Sequence, residues 1–123
     1  MEGTTVRDHT RLKVFNLADQ LAISIYREST GFPRSEHYGL RAQIRRAAVS
    51  IAANIVEGSA RTSQAEYLRF LDIAYASAKE LQYEISLCER LGLLNHESAR
   101  KVETECLATV RALGGLLKSI QKA

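Results

Sequence analysis

An all-α fold, an antiparallel up-down-up-down four-helix bundle, is what this sequence predicts, and three observations predict it. Apolar residues recur at three- and four-residue spacing along most of the chain, the period of a helix with one buried face. No stretch alternates apolar and polar residues between hairpin-type turns, so a sheet is not expected. Gly31-Phe32-Pro33, Gly58 and Gly92 cut the chain into four periodic segments, and Pro33, the sole proline, falls between segments.

The first segment predicts a helix over about 13–29, with Val14, Leu17, Ala18, Leu21, Ile25 and Glu28 on one face. The second predicts a helix from near Ser35 to Gly58, read as a left-handed C-terminal residue. Ser63-Gln64-Ala65-Glu66 is a capping box, in which Ser and Glu satisfy early amides reciprocally. The face behind it, Tyr67, Phe70, Leu71, Ala74, Ala78, Leu81, Ile85 and Cys88, holds its spacing over six turns. Asn95 caps a fourth helix bearing Ala99, Val102, Cys106, Thr109, Leu113, Leu117 and Ile120, in which Gly114-Gly115 predicts a kink or a close crossing. Short connections make successive helices antiparallel neighbours. Residues 1–11 are expected to be a flexible N-terminal segment and 12–121 the bundle.

With 123 residues, 46% hydrophobic and 25% charged, the chain is one domain able to bury a core. Its net charge of +3 is a mild bias toward anionic partners, and 12 of its 17 cations are arginine, the side chain that makes forked contacts to phosphate or carboxylate. The longest charge-free run, 47–56, is too short to span a bilayer, and the first residues have no apolar signal core. A cytoplasmic protein without membrane attachment is therefore expected. Cys88 and Cys106 lie on apolar faces, staggered by about 9 Å along antiparallel helices, and are expected to be reduced core residues.

The second helix carries more apolar surface than one core can cover. Leu40, Ile44, Ala47, Ala48, Ile51 and Ile55 form one stripe, and Tyr38, Ala42, Val49, Ala53 and Val56 form another, 120–180° away at 100° per residue. Phe15, Ala22, Ile23 and Tyr26 repeat the theme on the first helix. Self-association through these surfaces is one explanation, and cover by the chain's own termini is the other.

No arrangement of residues predicts catalysis, a cofactor or a metal site. His9, His37 and His96 are scattered, and the segment starting at His96 has Arg100 where a helical zinc motif needs its second histidine. Glu66, Glu80 and Glu84 imitate part of a di-metal carboxylate bundle but lack the histidines. The remaining constellation is basic: Arg34, Arg41, Arg45, Arg46 and Arg61, with Arg34, Arg41 and Arg45 assigned to one flank of the second helix. Two readings stay open, a phosphate-binding flank for RNA or DNA, and ion pairs of Arg45 and Arg46 with Glu57, Glu80 or Glu84.

Residues 32–61 carry a pattern made of Phe32-Pro33, Glu36, Gly39-Leu40, Gln43, Arg45-Arg46-Ala47, Ser50-Ile51, Asn54-Ile55, Glu57-Gly58 and Arg61. It resembles the four-helix bundle proteins encoded in intervening sequences of bacterial 23S ribosomal RNA genes, and weaker similarity extends over about 12–121. Many relatives have Trp at the position of Phe15. The resemblance implies a ring-shaped homopentamer. It also implies kinship with the accessory variability determinant of diversity-generating retroelements, a basic pentamer that binds a reverse transcriptase and its template RNA. On that footing the chain is expected to be a non-enzymatic, nucleic-acid-binding pentamer, with an oligomeric scaffold that touches no nucleic acid as the alternative.

Overall fold

Four helices dominate residues 7–122, the part of the chain that the computed structural model describes: α1 (Lys13–Glu28), α2 (Leu40–Ser59), α3 (Gln64–Arg90) and α4 (His96–Lys122). Single 3₁₀ turns lie at His9–Arg11 and Arg34–Glu36, and the described residues contain no strand. Each helix packs on its neighbours in sequence and α4 closes back on α1, the ring order of an up-down-up-down bundle.

The inward faces are those the helical spacing selects. Ala18, Leu21, Ile25, Ile44, Ala48, Ile51, Ile55, Leu71, Ala74, Ala78, Leu81, Ile85, Val102 and Leu113 are sealed from solvent inside one chain. Both thiols are buried and free, and the Cys106 thiol faces the Ala78 carbonyl oxygen at 3.5 Å. Burial pushes Cys88 up to about 11 and Cys106 up to about 12, so neither offers a thiolate at neutral pH.

Most helix ends follow their predicted chemistry. Ser63 Oγ accepts the Glu66 amide at 3.1 Å, and Asn95 Oδ1 accepts the Ser98 amide at 2.8 Å. The capping box is only half made, because the Glu66 carboxylate turns to Arg69 instead of back to the cap. After α3 the chain enters the left-handed region at Gly92 (φ 78°), with Leu93 N–H bonded to Cys88 O and Gly92 N–H to Glu89 O. That pair of bonds is a Schellman end.

Four expectations need revision. The helix expected from Ser35 starts at Leu40; Arg34–Glu36 form a separate 3₁₀ turn, and the Glu36 carboxylate reaches forward to accept the Leu40 amide at 3.0 Å. Gly58 is not a left-handed cap but lies inside the last turn of α2. A Cβ there would sit 2.9 Å from Phe70 Cβ, so glycine is needed because α2 and α3 converge at that point. Helix α4 runs unbroken through Gly114 and Gly115, and a Cβ on Gly114 would make only ordinary contact with Tyr75. Residues 7–11, expected to be flexible, pack on the bundle: Asp8 caps the first 3₁₀ turn by accepting the Thr10 amide, and His9 lies edge-on to Phe15 with centroids 4.7 Å apart. Residues 1–6 of that segment lie outside the described residues.

Candidate nucleic-acid interface

Helix α2 shows its two apolar stripes as two different environments. Ile44, Ala47, Ala48, Ile51 and Ile55 are buried. On the opposite side Val49 is 44% exposed, Ala53 is exposed, and Ala42 and Val56 are half-buried. Beside them on α1, Ile23 and Tyr26 are also exposed. Tyr38 is 99% exposed but stands in the turn before α2, off the helical stripe. Phe15 behaves differently from the other off-face residues of α1, since the chain's own His9 covers it. Residues 7–122 leave Val49 and Ala53 open at the middle of this face and cover Ala42 and Val56 only in part.

Of the three arginines assigned to one flank, Arg41 and Arg45 lie on α2, whereas Arg34 lies in the 3₁₀ turn before it. Arg34 precedes α2 and Arg61 follows it, so the full helix of 20 residues, about 30 Å long, runs between them. Because Arg34 belongs to the separate 3₁₀ turn, the periodicity of α2 does not set its direction. Arg41 is half-buried and Arg46 exposed.

Arg45 has a structural task that neither reading foresaw. Its Nε donates to Ser29 Oγ at 2.8 Å and its Nη2 to Tyr26 O at 3.1 Å, with the guanidinium 4.5 Å from the Tyr26 ring centroid. It therefore closes the C-terminal end of α1, where carbonyls lack helical partners and a cation is favoured. We expect Arg45→Gln to cost about 1.5–3 kcal/mol, the range for losing charged hydrogen bonds, read as a lower midpoint in chemical denaturation. An unchanged midpoint would mean these contacts contribute nothing.

A different basic group forms at the α2–α3 bend. Arg7 lies 4.0 Å over the centroid of Tyr67 and donates through Nη1 to the Arg61 carbonyl at 2.9 Å. Arg61 and Arg69 both lie on Phe70, at 4.9 and 4.7 Å. Glu57 pairs with Arg61, and Glu66 with Arg69 at 3.5 Å. Of these arginines only Arg61 was singled out from the sequence. Tyr67 and Phe70 appear there as core residues; each is buried on one side and offers its other surface to arginine. The signal for Arg69 was its place between the two rings, while Arg7 comes from far along the chain and leaves no local trace.

The carboxylates of α2 and α3 are also separated. Glu57 is taken by Arg61, and Glu66 by Arg69, which leaves Glu80 and Glu84 on the seam with α2. There Ser50 and Ser77 share a 2.9 Å hydrogen bond, and Asn54 Nδ2 donates to the Ser50 carbonyl at 2.8 Å. Glu84 is 4% exposed, and as a carboxylate its Oε1 has no donor. Among the described residues no three His, Cys, Asp or Glu side chains gather within reach of one metal ion. His96 and Arg100 both contact Glu89, a surface ion-pair group at the start of α4. A groove of about 300 Å³ opens between the start of α1 and the end of α4, lined by Leu12, Lys13, Val14, Ala112, Gly115 and Leu116. Its lining is apolar apart from Lys13. None of the described helices is long and apolar enough to cross a membrane.

The architecture defines an all-helical, four-helix bundle protein with an uncovered outer face. The chain belongs to the 23S rRNA-intervening sequence protein family, whose pattern it matches over residues 10–115. Its fold is also that of a crystal structure from Bacteroides thetaiotaomicron VPI-5482, described as a protein with unknown function from the S23 ribosomal protein family. That protein is 24% identical, with a TM-score of 0.77 over 85% of this chain and 98% of the other. No curated protein matches the chain.

Proposed function

We propose that this protein is a non-enzymatic homo-oligomer, a closed ring of about five chains, that binds nucleic acid through repeated arginine contacts to phosphate. The observation that carries the reading is the outward face of α2, where Val49 and Ala53 stand open next to a core that is already complete. A contiguous apolar stripe on a helix calls for a partner surface, and contacts between unlike faces of identical chains form a ring where the rotation between neighbours closes. The basic composition, pI near 9.0, supports an anionic ligand. One chain offers few cations, and repetition around a ring turns weak contacts into useful avidity. An accessory role beside a reverse transcriptase is the narrower form of this reading.

Light scattering should give a mass several times the 13.7 kDa of one chain. Val49→Asp should lower it to the monomer with helicity kept, because the substitution touches only the outer face. In a gel shift the intact oligomer should retard a long RNA duplex at low salt and release it as salt rises. A monomer at micromolar concentration refutes the ring. An intact ring that shifts neither RNA nor DNA leaves the scaffold reading in its place.

A further inference from the structure

We propose that the phosphate contact lies at the α2–α3 bend, where Arg7, Arg61 and Arg69 form a clamp for a phosphodiester backbone and Glu57 and Glu66 act as its built-in competitors. The proposal rests on the nucleic-acid reading above and moves its contact from the flank of α2 to one end of the bundle.

The three guanidinium groups come from three parts of the chain and meet on two neighbouring rings. An arginine stacked on an aromatic face keeps its donors directed outward in its own plane, and its side chain is partly ordered before any ligand arrives. Arg7 is further held by its bond to the Arg61 carbonyl, which fastens the N-terminal segment to the bend. The rings themselves are covered by the arginines and by the core, so they offer no surface on which a base could stack. Contact is therefore to the backbone, and sequence preference should be slight.

In the free protein two of the three cations are already paired, Arg61 with Glu57 and Arg69 with Glu66. All four of these side chains are substantially exposed, so the pairs are weak and exchangeable. A phosphate offers each guanidinium a second oxygen acceptor of the same charge, and it need only displace a solvated carboxylate. The glutamates thus set an affinity threshold that a single phosphate fails to cross and an extended backbone, met by several copies of the clamp, does cross.

The test uses the full chain with 30-base-pair RNA and DNA duplexes of one sequence, binding being followed by fluorescence anisotropy from low to moderate salt. Arg7→Gln with Arg69→Gln should weaken binding about ten-fold or more and lower the salt slope by about 0.9 for each duplex contact removed. Glu57→Gln with Glu66→Gln should tighten binding several-fold, a gain that misfolding could not produce. Arg34→Gln with Arg41→Gln should leave both quantities unchanged. Binding of either duplex with this pattern supports the clamp, and the two arms show whether the sugar matters. If wild type binds but the Arg34 and Arg41 pair carries the loss, the clamp is overturned and the nucleic-acid reading survives. If wild type binds neither duplex, both fall.

Discussion

Stability should fall as pH rises from about 5 to 8, and Glu84→Gln should remove most of that fall. Glu84 sits on the seam between α2 and α3, and its pKa is raised to about 8, first by burial and then by the adjacent Glu80, with Arg46 pulling weakly the other way. In the unfolded chain the same carboxyl titrates near 4.5. Between those values the folded protein keeps a proton that the unfolded chain has released, so raising the pH favours unfolding. The contribution is most favourable below the unfolded value, declines by up to about 1.4 kcal/mol per pH unit, and levels off above the folded value. A protonated Glu84 can donate to Glu80 and so relieve the unpartnered oxygen. An amide at this position donates equally well and never ionises. Urea denaturation at pH 5, 6.5 and 8 should show the wild type losing stability across the series and Glu84→Gln staying nearly level. Parallel curves would mean that Glu84 is ionised throughout.

Gly58→Ala should destabilise the protein by about 1–3 kcal/mol, the usual cost of forcing a group into a packed contact. The helix propensity of alanine acts in the opposite direction by about 1 kcal/mol, so a net loss means that the steric effect wins. The added methyl would press on the Cβ of Phe70 and on Tyr67, atoms tied to the α3 backbone that cannot swing aside. Because Arg61 and Arg69 rest on Phe70 and Arg7 on Tyr67, the same change should also disturb the bend. Thermal melting of the variant decides the matter. A raised midpoint would show that the helices part at little cost and that propensity prevails.

The fold was legible because helical period, caps and connection lengths all act locally. Ser63, Asn95 and Gly92 terminate helices for reasons contained in a few neighbouring residues. Gly58 misled for the same reason: its role depends on Phe70, a residue of the next helix, and nothing nearby distinguishes a close approach from a C-terminal cap. The basic residues were harder still. Helical period alone puts Arg34 with Arg41 and Arg45, but α2 begins only at Leu40, which removes Arg34 from that period. Sequence alone offers Arg45 phosphates or carboxylates as partners, whereas its acceptors are a backbone carbonyl and a serine hydroxyl at the end of α1. Periodicity reports which side of a helix a residue occupies. It does not report which tertiary neighbour waits there, and for arginine the neighbour decides the role.

The sealed interior has a consequence for how copies of this chain would behave toward one another. Leu21, Ile51, Leu81 and Leu113 are shut off from solvent by their own chain alone, without borrowing cover from a second molecule. In the proposed ring, folding and association would be two successive equilibria, with only the second dependent on protein concentration. Dilution would release intact subunits ready to rejoin, and rings could trade members without any chain unfolding. Substitutions on the outer face of α2 could change how many chains meet, or end their meeting, while every bundle stays whole.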